Sequence, residues 1–361
     1  MTRNRVRPFL GFFAEHKRPA LNEEVRTPLS IGRILKTFAK KPVPWIVSNA
    51  ASRTASDLTG PLLAVVVICY KMDQQIEKTL LSLSLPYQRG VAVNEYEIHL
   101  VDNGSPQTLP DAVWNISPNI RYHYVPPGEA PVNPGTAINR AVANTRSPLL
   151  CVLIDGARML TPGVLRWGMD LSASSTHALV DVRSWHLGHK SQNDSLIEGY
   201  SPDIERELLA GISWPSDGYR LFEIGFPSNP TRTPFQKCVF ESNCLFISRH
   251  LFDQIGGFDE RYTPPGGGLA GVDFFHRAVA NSDLIFTLLG EGTFHQTHGG
   301  AASGLNREQL LAKLAIWREE YEKLSRPWSD RHRYDAVLAG HVPKEARRWL
   351  DRQPRTEPRA R

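Results

Sequence analysis

Three apolar runs in this chain end on residues that can do chemistry. Leu62–Tyr70 (LLAVVVICY) closes on a phenol, Tyr96–Ser105 (YEIHLVDNGS) passes through Asp102, and Leu149–Ile154 is followed at once by Asp155. A carboxylate directly after six apolar residues marks the point where a strand covered on both faces meets solvent. In open α/β sheets that carboxyl edge is where ligands bind. Far along the chain, His295 and His298 in GEGTFHQTHGG are flanked by glycines and follow the apolar strand Leu284–Leu289. Each alone reads most simply as a structural histidine, whereas the pair reads as a candidate metal site, since imidazole suits ions such as Mn²⁺.

The elements that must position these groups follow from periodicity. Between the first two runs, Gln74–Leu85 (QQIEKTLLSLSL) places Ile76, Leu80, Leu81 and Leu83 at roughly helical spacing, and a short helix from Pro134 precedes the third run. The order is β-α-β-α-β, which implies parallel strands joined by right-handed crossovers. Tyr70, Asp102 and Asp155 then line one edge of one sheet.

Composition sets the outer bounds. With 361 residues, 41% hydrophobic and 22% charged, the chain is an ordinary globular protein able to bury a large core. No apolar run approaches the ~20 residues of a membrane span, and the start, MTRNRVRPFLGFFAEHKRPA, has neither a long apolar region nor a small-residue cleavage site. Of four cysteines, Cys69 and Cys151 fall inside expected strands, while Cys238 and Cys244 lack the close pairing of a zinc site and read as core or loop thiols. That usage fits a reduced, cytoplasmic protein. The net charge of +5 concentrates at the ends, with Arg3, Arg5, Arg7, Lys17, Arg18, Lys40 and Lys41 near the start and RRWLDRQPRTEPRAR at the finish. Solvated tails are the simplest account of these charges. The other account is attraction to anionic lipid head groups, giving peripheral membrane contact, or to a polyanionic acceptor. No interleaving of aromatic and basic residues suggests nucleic acid, and there is no internal repeat.

Taken in order, VVVICYKMDQQIEKTLLSL, EIHLVDNGS, GTAINRAVANT with LLCVLIDGA, and IGGFDERYTPPGGGLAGVDFFHRA resemble glycosyltransferase family 2, the nucleotide-sugar-dependent enzymes of the GT-A fold. The resemblance covers about Leu62 to Gly304. It implies a Rossmann-like, mostly parallel sheet flanked by helices, with a nucleotide-sugar half over residues 61–190 and an acceptor half over 191–304. A basic, proline-containing segment, 1–60, and a helical, basic segment, 305–361, extend it at either end. The latter begins with an amphipathic pattern of Leu310, Leu311, Leu314, Ile316, Trp317 and Tyr321.

The resemblance also implies roles. Tyr70 would offer a flat face to the nucleotide base and Asp102 an acceptor for its ring N–H; the alternatives are a packed core aromatic and a turn cap on Asn103 and Gly104. Asn139 stands where relatives carry an Asn near the donor, or else packs its helix; the Arg that often precedes it is here Ile138, and Arg140 points about 100° away. Asp155 matches the first acid of the Asp-x-Asp motif, but the second, normally a ligand of Mg²⁺ or Mn²⁺, is Ala157. Two repairs are visible. Arg158 can pair with phosphate oxygens without a metal, and His295 or His298 can complete a divalent-cation site with Asp155.

In the acceptor half, the segment that in relatives ends in Glu-Asp-x-Asp keeps only Asp273, since Ala270 and Gly271 replace the leading acids. Asp273 is the first candidate for general base, with a plain helix-start carboxylate as the alternative. Glu241, before a buried strand, is the reserve, and Asp259 reads as a turn cap. Trp214, Tyr219, Phe222 and Phe226 lie in an irregular stretch that either stacks sugar rings or forms a small core of its own. Gly266–Gly268, after Pro264 and Pro265, is a candidate hinge for a lid. The implied activity is transfer of a sugar from a nucleoside diphosphate donor to a glycan or lipid-linked acceptor, with inversion, in surface glycan or polysaccharide assembly. The alternative is a catalytically degenerate GT-A domain serving as a nucleotide-sugar-binding or assembly module. A nucleotidyltransferase is disfavoured because no Gly-rich, Lys-bearing loop follows the first strand.

Overall fold

The structure is a computed structural model and describes residues 60–228, 239, 243–300, 304–327 and 334–350. The chain divides into two units, Met1–Asp57 and Leu58–Arg361. Residues 1–59 of the N-terminal basic segment, Cys238, Glu241 and residues 351–361 of the C-terminal basic stretch lie outside the described residues.

Twelve strands are described: β1 Leu63–Cys69, β2 Tyr96–Asn103, β3 Ile120–Val125, β4 Leu149–Leu153, β5 Arg158–Leu160, β6 Ala178–Asp181, β7 Ser184–Leu187, β8 Gly225–Pro227, β9 Cys244–Ser248, β10 Leu284–Leu289, β11 Thr293–His295 and β12 Val337–Gly340. Eight form the main sheet in the order β12-β10-β6-β9-β4-β1-β2-β3. All its neighbours are parallel except β9, which runs antiparallel to both β4 and β6. All seven residues of β1 are buried, as a central parallel strand covered on both faces requires. Its alternation feeds two cores. Val65 and Val67 pack with Ile76, Leu80 and Leu83 of the helix Ile76–Leu83, while Ala64, Val66 and Ile68 pack with Ala137, Ile138 and Val142 of the helix Pro134–Ala143. That second helix starts sharply because Asn133 caps it, accepting from the Gly135 N–H at 2.9 Å, and Pro134 fits its first turn.

The remaining strands make a small sheet, β5-β11-β7-β8. Its core is aromatic: Trp185, Phe222, Phe294 and Trp349 interlock, with Phe222 5.1 Å from both Trp185 and Phe294 between ring centroids. Of the two readings of the aromatic stretch after Gly211, the small core is the one the fold realises for Phe222, which is fully buried. The segment expected as a helical extension does form the helix Arg307–Leu324, but it then adds β12 to the edge of the main sheet and sends Trp349 into the aromatic core. Cys69, Cys151 and Cys244 are buried, with the Cys151 and Cys244 sulfurs 3.7 Å apart. Among the described residues, no helix is long and apolar enough to cross a membrane.

Candidate active site

Asp155 leaves β4 at the carboxyl edge of the main sheet and turns back on itself, its Oδ1 accepting from the Ala157 N–H at 2.9 Å. Its other oxygen meets the small sheet. His295 Nε2 lies 2.7 Å from Asp155 Oδ2, His298 Nε2 lies 3.4 Å from the same oxygen, and the two imidazole nitrogens are 2.9 Å apart. The backbone locks the two loops together, since the Gln296 N–H donates to the Ala157 carbonyl at 2.8 Å. Ala157 itself is fully buried in the apolar cluster that includes Ile76 and Leu160. The carboxylate missing from position 157 is therefore not replaced in place; imidazoles arriving from the other sheet stand opposite Asp155 instead.

Side chains that carry no local sequence signal hold this arrangement. Gln192 Oε1 lies 3.0 Å from His295 Nδ1, a contact that orients the ring so that Nε2 faces Asp155. Glu205, buried at the start of the helix Pro202–Gly211, accepts from the Thr297 N–H at 2.7 Å, and Gln75 Nε2 donates to the Thr297 carbonyl at 2.6 Å. Burial pushes the Glu205 carboxyl up to about 7, against the opposing pull of that N–H, Lys78 and His298. In the small sheet, Arg158, His295 and His186 are register partners on β5, β11 and β7 and form one cross-strand row. His186 is held down to about 3 by burial first, then by its His295 and Arg158 neighbours.

Burial opposes ionisation of Asp155, but His295, the hydrogen bonds from both imidazoles and Arg158, whose Nη2 lies 3.9 Å from Oδ2, together hold its carboxyl well below the usual range. His295 is lowered, by burial first and then by Arg158 against the pull of Asp155. Those two directions conflict if both are credited to an imidazolium–carboxylate pair. We stand behind the neutral imidazole, because burial beside a permanently charged guanidinium disfavours a second cation, while Arg158 and the Ala157 N–H still favour the Asp155 anion. An ionised carboxylate with two imidazoles whose donor atoms lie within 4.8 Å of one another is the donor set of a divalent-cation site.

The other expected residues divide. Tyr70 is 49% exposed, so its ring is free to meet a ligand and is not a core aromatic. Lys71, beside it, was not singled out in the sequence; its φ of +52° is fixed by its N–H donating to Ser105 Oγ at 2.9 Å, and its Nζ lies 5.0 Å from the Tyr70 ring centroid. Asp102 is fully buried, with Oδ1 accepting from the Ser105 N–H at 3.2 Å and Oδ2 from the Tyr122 hydroxyl at 3.1 Å; burial raises its pKa. It thus does cap its turn, on Ser105, one residue beyond the expected Asn103 and Gly104. Asn139 uses both ends of its amide on the turn after Gly257: Oδ1 accepts from Phe258 N–H and Nδ2 donates to the Phe258 carbonyl, each at 2.9 Å. These bonds are the packing role weighed for it.

Asp273 lies in the first turn of the helix Ala270–Asn281, is 2% exposed, and accepts from Arg277 Nε at 2.7 Å. It borders a cavity of about 340 Å³ shared with Asp259, Arg261, His276 and Arg326. The residue of this helix that adjoins the exit of β4 is Gly271, where a Cβ would stand 3.1 Å from Ile154 Cδ1. Two residues further on the helix has turned by about 200°. Asp273 is not among the residues whose donor atoms gather within 4.8 Å of one another at Asp155. Asp259 is a turn residue, accepting from the Arg261 N–H at 3.0 Å. Gly266, Gly267 and Gly268 all have positive φ, of 78°, 80° and 54°, which favours glycine there.

No protein-family profile matches the chain. The N-acetylglucosaminyl-diphospho-decaprenol L-rhamnosyltransferase of Mycobacterium tuberculosis is 30% identical over 225 residues, which cover 56% of this chain and 66% of that protein. The chain belongs to glycosyltransferase family 2. Within that family it is also similar to the validoxylamine A glucosyltransferase of Streptomyces hygroscopicus subsp. limoneus, 26% identical over 246 residues covering 63% of this chain and 52% of that one. The match thus spans about two thirds of the first relative and half of the second. The crystal structure of S. aureus TarS 1-349 aligns with 73% of this family 2 chain and 72% of its own length at 14% identity and a TM-score of 0.45, a likeness that adds nothing to the sequence match. The mostly parallel sheet, its helix-covered faces and the acid at the end of β4 are the GT-A fold of the family.

Proposed function

We propose that this chain transfers a sugar from a nucleoside diphosphate donor to an acceptor hydroxyl, with inversion, in the assembly of a surface glycan or polysaccharide. The observation that carries the reading is the convergence of Asp155, His295 and His298 at the carboxyl edge that Tyr70 also faces. One relative's name specifies a lipid diphosphate acceptor and a rhamnosyl donor, and the other's a glucosyl donor. They support a nucleotide-sugar donor and a glycan or lipid-linked acceptor here. In this reading Tyr70 stacks on the base, Lys71 and Arg158 face the donor's phosphates, and Asp102 shapes the base pocket through Tyr122 and Ser105. Asp155, His295 and His298 would hold a divalent cation, which would supply positive charge for a departing diphosphate. Arg158 adds a fixed charge beside it. The proton of the acceptor goes to Asp273 once it is released from Arg277, or to Glu241. The site is proposed to work in the cytoplasm, with the basic ends touching anionic lipid.

A second reading, a donor-binding module without turnover, draws support from Ala157, Ala270 and Gly271 and from the ion pair that engages Asp273. One experiment separates them. The full chain is incubated with a panel of nucleoside diphosphate sugars, Mn²⁺ and lipid-linked or glycan acceptors, and release of nucleoside diphosphate is followed. Acceptor-dependent release supports transfer. Saturable donor binding with no release across the panel supports the module.

A further inference from the structure

The cavity of about 340 Å³ beside the helix Ala270–Asn281 is lined by three arginines, Arg261, Arg277 and Arg326, against two carboxylates, Asp259 and Asp273. None of Asp155, His295 and His298 lines it. Its walls are tied together, since Tyr262, Ala270, Val272 and Tyr321 share one small apolar cluster that packs this helix on the helix Arg307–Leu324.

Hydrogen bonds in the cavity leave donors unspent. Arg277 donates from Nε to Asp273 Oδ2 at 2.7 Å and from Nη1 to the Ile255 and Gly257 carbonyls at 2.7 and 2.8 Å. Arg261 donates from Nε and Nη2 to Asp259, whose carboxyl it holds below the ordinary value, and from Nη2 to the Leu324 carbonyl at 3.2 Å. Arg326 differs. Its Nε donates to the Tyr321 hydroxyl at 3.2 Å, which His276 Nδ1 also meets at 3.0 Å, so the fork is held by its inner nitrogen. Among the described residues its two terminal nitrogens have no partner and no carboxylate pairs with it; Nη1 of Arg261 has no partner either. Two helix C-termini, with partial negative charge, face the same space, but Arg261 already meets the Leu324 carbonyl, and Asn281 Nδ2 meets the Arg277 carbonyl at 2.8 Å. The side chains keep an excess of one positive charge. One acceptor is left over, because Asp273 Oδ1 bonds no described residue.

A guanidinium fork with open terminal nitrogens matches paired phosphate oxygens. The cavity volume is at the lower end of the roughly 300–1,000 Å³ of small-molecule sites, which suits a small ligand and not a polymer. We infer that Arg326 and Arg261 bind a phosphate group in this cavity, carried by a small hydroxylated molecule of the sugar monophosphate class or present as the free ion. Asp273 Oδ1 accepts from a hydroxyl of the former. The inference goes beyond the transfer reading, and its test uses neither donor nor acceptor.

The test is calorimetric titration of the full-length chain at fixed ionic strength, with chelator present so that no cation contributes a phosphate site. The probes are glucose 6-phosphate, inorganic phosphate and glucose. Glucose 6-phosphate is expected to bind at one site per chain with a Kd of about 1 mM or tighter, and glucose not at all. Arg326→Gln should weaken that binding by about tenfold or more, the loss expected for a hydrogen bond to a charged group. Ser325→Glu adds a carboxylate to the lining while keeping every arginine. It should weaken binding to a similar degree, and it keeps the test decisive should the Arg326→Gln chain unfold. Arg121→Gln, an exposed position on the edge strand β3, should leave the affinity unaltered. Tighter binding of glucose 6-phosphate than of inorganic phosphate would support a phosphosugar as the ligand, and equal binding would support the free ion. No saturable binding of either phosphate compound at about 10 mM, glucose binding as tight as that of glucose 6-phosphate, or full affinity in folded Arg326→Gln and Ser325→Glu chains would each overturn the proposal.

Discussion

Glu291 offers the cleanest test of how the small sheet is held. It lies just before β11, the strand that carries His295, and is 2% exposed. Thr161 Oγ1 donates to its Oε2 at 2.5 Å, the Gly163 N–H to the same oxygen at 3.1 Å, and the Tyr219 hydroxyl to Oε1 at 2.7 Å. Burial nevertheless raises the carboxyl from 4.5 to about 7, outweighing those three donors. A raised folded-state pKa means that the folded chain binds the extra proton, so the contribution is fully present below about pH 4.5 and is lost as pH rises through about 7. At about 1.4 kcal/mol for each pH unit of displacement, the whole loss is about 3 kcal/mol. Glu291→Gln imitates the protonated acid: its carbonyl oxygen can accept from Thr161 and Gly163, and its amide can donate to the Tyr219 oxygen. Urea unfolding of both chains from pH 4.5 to 8 is the assay. The stability of the variant minus that of the parent should start near zero and climb to about 3 kcal/mol by pH 8. Taking the difference removes Asp181 and Glu205, raised to about 6 and about 7 and common to both chains. Parallel curves, or an advantage that shrinks with rising pH, would refute the claim that burial dominates at Glu291.

Three further outcomes are expected. Gly156→Ala places a Cβ 2.7 Å from the Ile68 carbonyl and 3.0 Å from Cys69 Cβ. It should cost about 1–3 kcal/mol by urea unfolding, and should weaken Mn²⁺ binding by displacing Asp155; unaltered Mn²⁺ affinity would show that this turn does not position the carboxylate. Asp102→Ala should raise the donor KM with little change in kcat, since it loosens the base pocket that Asp102 shapes through Tyr122 and Ser105, and that pocket is used equally in ground and transition states; loss of kcat at constant KM would count against it. Asp273→Asn removes the charge that faces Arg277 and should lower stability by about 1–3 kcal/mol. In the same variant a fall in transfer of about 10²-fold or more at unchanged donor KM would mark Asp273 as the base, and activity above about a tenth of the parent's would pass that role to Glu241.

Strands β1, β2 and β4 of the main sheet were legible because each announces itself locally, whereas β6, four residues long, did not. The runs read as Leu62–Tyr70 and Leu149–Ile154 are strands Leu63–Cys69 and Leu149–Leu153, and Gln74–Leu85 holds the helix Ile76–Leu83. Burial on both faces writes an unbroken apolar run, which needs no knowledge of the partner strand. Asp155 and the two histidines were legible for the complementary reason, as polar groups interrupting apolar strands. The small sheet was not: β5 and β11 are three residues each, too short for any period to show. Hence nothing in the sequence marked Arg158 as a strand residue paired with His295. Gln192 and Glu205 had no signal at all, since their roles exist only through partners about a hundred residues away, at His295 and Thr297. The helix start at Ala270 was recognisable, but not which of its sides Asp273 occupies, because only tertiary packing sets the Arg277 ion pair.

The distance along the chain between Asp155 and His298, 143 residues, has a kinetic meaning. Closing so long a loop delays contacts until most of the intervening chain has been ordered. The first half of the main sheet, with β1, β2 and β4 in place, can present the acid but cannot assemble a chelate; that awaits β11, the last strand of the small sheet in sequence. Metal capture should therefore be among the final events of folding. Visible absorption from Co²⁺ included in the refolding buffer would then time the docking of the two sheets separately from the formation of either.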